Sequence, residues 1–269
     1  LYETLFMKRI ALGVNYTGSA FFGWQAQRQG DTVQQTVEAA LSKIADSPIK
    51  VICAGRTDTG VHATRQVVHF DSPVDRPAKA WVLGTNAHLP DTVAVHWSCP
   101  VDDAFSARFS ATARRYLYTI HNTPVRSSIG AGMFTREHRP LDVGKMHAAA
   151  QALIGEHDFS AFRASKCQSK TPMRNMHEIS VQRRGDMVLI NVAANAFLHH
   201  MVRNIAGVLM DVGAGEQSLD WAARLLAQRD RTLAAMTAPP HGLYLVDVVY
   251  PTRFGLPQGP VIPHFFAGD

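Results

Sequence analysis

Apolar residues run almost unbroken through residues 9–14 and predict a strand, followed by the turn Tyr16-Thr17-Gly18-Ser19 and an aromatic patch at Phe21, Phe22 and Trp24. A helix follows. Thr32 and Gln35 have capping-box spacing, and Val33, Val37, Ala40, Leu41 and Ile44 recur at the i, i+4, i+7, i+8 and i+11 positions of an amphipathic helix that ends before Pro48. Val51, Ile52 and Cys53 supply a short strand, and residues 66–70 a longer one that Ser72-Pro73 ends. A helix-like stretch at 78–86 and a strand at 92–97 complete the first half. The second half reads similarly: a strand at 115–121, a long loop to Pro140, and a helix over 142–154 with Met146, Ala149, Ala150 and Leu153 on its apolar side. A basic loop through Cys167 to Arg174, strands at 176–183 and 187–195, and a helix over 199–212 follow. The pattern predicts two α+β halves, each with helices on one face of a largely antiparallel sheet. Residues 1–105 form the first subdomain, 106–250 the second, and 251–269 a C-terminal tail.

With 269 residues, 46% hydrophobic and 18% charged, the chain can bury a substantial core. It contains no run of about 18 apolar residues, and its N-terminus lacks the apolar segment and cleavage site of a secretory signal, so a soluble cytoplasmic protein with no membrane partner is expected. Cys53, Cys99 and Cys167 are odd in number with no Cys-x-x-Cys spacing, which points to reduced thiols rather than disulfides or structural zinc. Thirteen histidines raise the question of a metal. No His-Glu-x-x-His occurs, adjacent His199 and His200 would point apart on a helix, and no metal site is expected.

Charge changes the picture more. Twenty-seven basic against 22 acidic residues give a net charge of +5, with a pI near 9.3, which favours a polyanionic partner. Arginines and lysines cluster at Arg108, Arg114 and Arg115, at Arg126, Arg136 and Arg139, at Arg163, Lys166, Lys170 and Arg174, and at Arg183 and Arg184. Such groups can track phosphates or stand as solvated side chains.

The candidate chemistry lies in Ala54-Gly55-Arg56-Thr57-Asp58-Thr59-Gly60-Val61-His62-Ala63, where one carboxylate sits between glycines directly after a short apolar strand. Asp58 so placed can be a nucleophile, a general base, a metal ligand or the cap of an Asx turn. Within residues 201–210 the only charged residue is Arg203, on an otherwise apolar helix. A guanidinium in such surroundings needs a carboxylate or a phosphate, or else a path to water, and Asp58 is the natural partner. Tyr116 and Tyr118 alternate onto one strand face behind Arg114 and Arg115, a place suited to core packing or to stacking on an extruded base.

Gly55-Arg56-Thr57-Asp58 with Gly60-Val61-His62-Ala63 resembles the catalytic motif of the pseudouridine synthases in its tRNA pseudouridine synthase A form. Tyr16-Thr17-Gly18 with Phe22-Gly23-Trp24-Gln25, Phe109-Ser110-Ala111-Thr112-Ala113-Arg114-Arg115-Tyr116-Leu117-Tyr118, and His199-His200-Met201-Val202-Arg203-Asn204 agree in family order. The resemblance runs from about Arg9 to Tyr250. It implies two ferredoxin-like, RNA-recognition-like subdomains whose sheets join around a central cleft, and an enzyme that isomerises uridine to pseudouridine at positions 38, 39 and 40 of the tRNA anticodon stem-loop. Asp58 is then the catalytic carboxylate and Arg203 the residue that holds it ionised. Tyr116 stacks on the target uracil, Arg56 helps displace the nucleotide, and Leu245 shapes the uracil pocket, leaving Tyr118 to packing. The resemblance also implies a homodimer.

No cofactor is required for such an isomerisation, and no Gly-x-Gly-x-x-Gly or Walker-type loop occurs. Two other readings compete: a non-catalytic protein with tandem RNA-binding sheets, and a glycoside hydrolase, which commonly needs two acids where only Asp58 stands out. One departure is Thr59, where the family pattern often has alanine.

Overall fold

A computed structural model describes residues 7–266. Residues 1–6, most of the N-terminal stretch read for a leader, and residues 267–269 of the tail lie outside the described residues. In chain order the elements are β1 (Lys8–Tyr16), α1 (Val33–Ala45), β2 (Ile52–Cys53), β3 (His62–Ser72), β4 (Val93–Pro100), β5 (Ala113–Asn122), β6 (Thr135–Glu137), α2 (Val143–Ala150), β7 (Gly155–Asp158), β8 (Met173–Arg184), β9 (Met187–Ala194), α3 (Met201–Gly213), α4 (Trp221–Gln228) and β10 (Leu243–Val249). They form a mixed α/β protein. Strand pairing is antiparallel in β1–β3, β1–β4, β2–β3, β5–β9, β7–β8 and β8–β9, and parallel in β5–β6.

The chain divides into two compact units, one holding residues 7–112 together with 245–266 and the other residues 113–244. The first unit thus runs past residue 105 and takes back the C-terminal residues. Packing explains both extensions: Phe105 is fully buried with its ring 5.1 Å from Tyr250 and 5.0 Å from Phe254, and the Tyr250 hydroxyl donates to the Ala107 carbonyl at 2.7 Å. Leu256 and Phe266 are buried, and Val261 N–H donates to the Val246 carbonyl at 2.9 Å.

In the first unit the strands lie in the order β4–β1–β3–β10, with β2 beside β3. Helix α1 forms where the periodicity predicts it. Thr32 caps it by accepting from Gln35 N–H, and Val33, Val37, Ala40, Leu41 and Ala45 are buried, each large aliphatic side chain contributing about 1.5–3 kcal/mol. Glu38 of this helix is also buried, but it is paired: it accepts from Lys50 Nζ at 2.8 Å and from Val51 N–H at 3.1 Å. The carboxylate therefore ties α1 to the segment that enters β2 and the glycine-rich loop. The helical stretch expected at 78–86 contains a π-helical turn, Ala80–Gly84, whose Trp81 packs edge-on against Phe70 at 5.1 Å.

In the second unit the order is β5–β9–β8–β7, with β6 beside β5. Strand β6 interrupts the loop expected to reach Pro140. The helix expected over 142–154 starts at its Asp142 cap, ends as α-helix at Ala150 and finishes with the 3₁₀ turn Gln151–Leu153. Helix α3 begins at Met201 rather than 199, because His200 sits in the left-handed region at φ +62°. Eleven of its thirteen residues are buried, so it is apolar on nearly every side, as a core helix should be. The segment after α4 lies against it: the Asn204 Oδ1 accepts from Arg231 at 3.0 Å and from Thr237 at 2.7 Å.

Candidate active site

The loop between β2 and β3 carries Asp58, and a network of hydrogen bonds within the first unit holds it. At its start Ala54 N–H donates to the Val67 carbonyl at 2.8 Å, and Gln66 of β3, fully buried, donates from Nε2 to the Gly55 carbonyl at 2.6 Å. In its middle Trp24 N–H donates to the Thr57 carbonyl at 3.0 Å, and the Thr57 and Tyr16 hydroxyls share a buried hydrogen bond of 2.8 Å. At its end Val61 N–H donates to the Asp58 carbonyl at 3.1 Å across Gly60, whose φ of +81° suits glycine. His62 is buried, and its Nδ1 accepts from Gly18 N–H at 3.1 Å.

Asp58 is half-buried at the centre of this frame, with Arg56 and Thr59 exposed on either side and Thr57 buried between. A carboxylate on a backbone pinned from both flanks is pre-organised for attack or proton transfer, since little has to be ordered when substrate arrives. Cys53 precedes the loop; burial drives its thiol up to about 12, although the guanidiniums of Arg56 and Arg108 act the other way, so it is a neutral packing residue. Leu245, on β10 in the same unit, is fully buried, and its carbonyl accepts from the Thr64 hydroxyl at 3.5 Å.

The second unit carries Tyr116 and Arg203. Tyr116 on β5 is mostly buried, with its ring edge-on to Phe197 at 5.1 Å. Tyr118 is fully buried and donates to the Pro239 carbonyl at 2.8 Å, which matches the packing role expected of it. Arg203 is half-buried near the start of α3; its Nε donates to the Ala238 carbonyl at 2.8 Å, and its own carbonyl accepts from Ala238 N–H at 3.2 Å. The charged residue on an apolar helix thus also clamps the 231–238 segment.

Two expectations change here. His199 and His200 do not diverge along a helix: both precede it, and their rings lie 4.0 Å apart, because the left-handed turn at His200 folds one back on the other. The arginine clusters are not uniformly available to phosphates either. Arg115 pairs with Glu178 at 2.8 Å, and Arg139 with Glu137 at 2.7 Å and Asp211 at 3.1 Å. Sequence reasoning also passed over Tyr16, Gly18, Gly23, Gln66 and His62 as supports of the loop. All but Gln66 stand in stretches that the resemblance contained without a stated role for them, Tyr16-Thr17-Gly18, Phe22-Gly23-Trp24 and Gly60-Val61-His62-Ala63.

Comparison with known proteins places the whole chain rather than its individual side chains. The family model described as tRNA pseudouridine synthase matches residues 13–110 and 149–251, spans that include Asp58 and Arg203. The tRNA pseudouridine synthase A of Shewanella amazonensis is 58% identical over 257 residues, covering 96% of this chain and 98% of that protein. That of Actinobacillus pleuropneumoniae serotype 7 is 56% identical over 261 residues, covering 97% and 100%. Among solved structures, a chain of the H/ACA RNP bound to a substrate RNA containing 2'-deoxyuridine aligns over 75% of this chain and 44% of its own, at 16% identity and a TM-score of 0.36. Family model and full-length relatives together make this chain a member of the tRNA pseudouridine synthase family. Among the described residues no helix is long and apolar enough to cross a membrane.

Proposed function

We propose that this chain isomerises uridine to pseudouridine in the anticodon stem-loop of tRNA, at positions 38, 39 and 40, with Asp58 as the catalytic carboxylate. The observation that carries the reading is identity of 56–58% to tRNA pseudouridine synthase A over nearly the whole chain, with the Asp58 loop inside the matched family region. The reaction breaks the N1–C1′ bond, turns the uracil and joins C5 to C1′, so the base must first leave the stack. It is redox-neutral and needs no cofactor. Asp58 serves it by attacking C1′ or C6, or by taking the 2′-proton to give a glycal.

In this reading Arg203 keeps Asp58 ionised and oriented, Tyr116 stacks on the uracil, Leu245 shapes its pocket, and Arg56 helps displace the nucleotide. The two units are ferredoxin-like subdomains serving one uridine, and the protein works as a cytoplasmic homodimer. The test is position mapping. An unmodified tRNA transcript bearing uridines at 38, 39 and 40 is incubated with the protein alone and read by pseudouridine-specific chemical probing. Stops confined to those positions are expected; tight binding without any pseudouridine would favour a non-catalytic RNA-binding protein instead.

A further inference from the structure

Phe109 stands 79% exposed on the segment after β4, and its surroundings set it apart from an ordinary surface apolar residue. The backbone that presents it is held on every side. Ser110 N–H donates to the Ser106 carbonyl at 2.9 Å, Ser106 N–H to Ser110 Oγ at 2.9 Å, and Phe109 N–H to Ser106 Oγ at 3.3 Å. Just before it, Ala107 N–H donates to His69 Nδ1 at 3.1 Å, and Phe105 anchors the turn in the core. A turn this well tied places the ring in solvent by construction. The Arg108 guanidinium lies over the ring, 5.1 Å from its centroid, which leaves the aromatic surface turned away from the cation for another flat group.

The position is close to the Asp58 loop within the first unit. Ala107 of this turn donates to His69 of β3, and His69 is the strand partner of Ile52 in β2, the strand that leads into the loop. An exposed aromatic ring on a rigid turn, with a guanidinium over one face and a catalytic loop nearby in the fold, has the composition of a stacking site for unpaired nucleotides. We propose that Phe109 is a further substrate-binding residue, stacking on an unpaired base of the RNA near the target uridine while Arg108 meets the adjacent phosphate. The proposal rests on the tRNA-modifying reading and commits to RNA rather than to a second copy of the chain, because the guanidinium over the ring and the exposed Arg56 of the loop complement a polyanion.

The experiment measures equilibrium binding of an anticodon-arm RNA to Phe109→Leu, Phe109→Tyr and Arg108→Gln, with thermal melting as a check on folding. Phe109→Leu should weaken binding five- to tenfold or more, as loss of one stacked base implies, with an unchanged salt dependence. Phe109→Tyr should bind within about twofold of wild type, and Arg108→Gln should reduce the slope of log affinity against log salt by about one. Wild-type affinity in a folded Phe109→Leu variant would overturn the proposal. Absence of RNA affinity in the wild type would overturn it too. Binding needs no turnover, so failure to form pseudouridine sinks the isomerase reading alone and leaves the Phe109 result decisive.

Discussion

Gly23 adopts φ +84°, and a Cβ added there would stand 2.9 Å from the Thr57 carbonyl oxygen and 3.1 Å from the Thr59 nitrogen. The obstacle is backbone, so it cannot swing aside as a side chain tip would. Gly23→Ala should therefore move the residues that flank Asp58, lowering kcat at least tenfold while KM changes little, in steady-state assays on tRNA transcript. A variant with wild-type kcat would show that the loop tolerates displacement. Residue-scale legibility follows the same division. Asp58, Arg56 and the glycines stand within ten consecutive residues, and sequence displays them. Gln66 and Tyr16 reach the loop only after three strands have paired, and no spacing along the chain announces that.

Among the elements, β1 and β3 carry a cross-strand pair on the register Arg9↔Asp71. The guanidinium is bidentate, with Nε to Oδ1 at 2.7 Å and the second nitrogen to Oδ2 at 2.8 Å. This hydrogen bonding, opposed by partial burial, holds the Asp71 carboxyl below its ordinary value near 3.8. A depressed carboxylate stabilises the fold above the ordinary value, and that contribution is lost as pH falls through the lowered one. Asp71→Asn should thus cost about 1 kcal/mol at pH 7, after allowance for solvent screening, and progressively less below about pH 4. Urea midpoints at pH 7 and pH 3 measure this; an equal cost at both would assign the effect to packing. Elements with strong periodicity, such as α1 and β9, were legible. Strands β6 and β7 were not, being three and four residues of mixed polarity stabilised by their neighbours' ladders, and α4 was passed over although Trp221, Ala222 and Leu225 form its buried stripe.

At the scale of the whole molecule, the net charge of +5 is less informative than which cations are committed. Arg65 and Asp247 form a nearly buried ion pair at 3.3 Å, and Arg9, Arg115 and Arg139 are paired as well. The 163–174 loop differs. It carries Arg163, Lys166, Lys170 and Arg174 with no acidic residue; its two arginines donate to loop carbonyls, and its two lysines are exposed. Lys166→Gln with Lys170→Gln should weaken tRNA binding and reduce the salt slope by about one to two, and an unaltered slope would remove this loop from the phosphate-contacting surface.

The return of residues 245–266 to the first unit was not legible, because it depends on Tyr250 and Phe254 packing against Phe105, far earlier in the chain. Family membership was legible, since motifs spread in order from Tyr16 to Asn204 record the whole molecule at once. The measurement that bears most directly on Asp58 is single-turnover conversion of an unmodified tRNA transcript by excess wild type and by Asp58→Asn, with transcript binding measured in parallel. Asp58→Asn is expected to bind within a few-fold of wild type and to form no pseudouridine. Conversion by Asp58→Asn at the wild-type rate would contradict the assignment of Asp58 as the catalytic carboxylate.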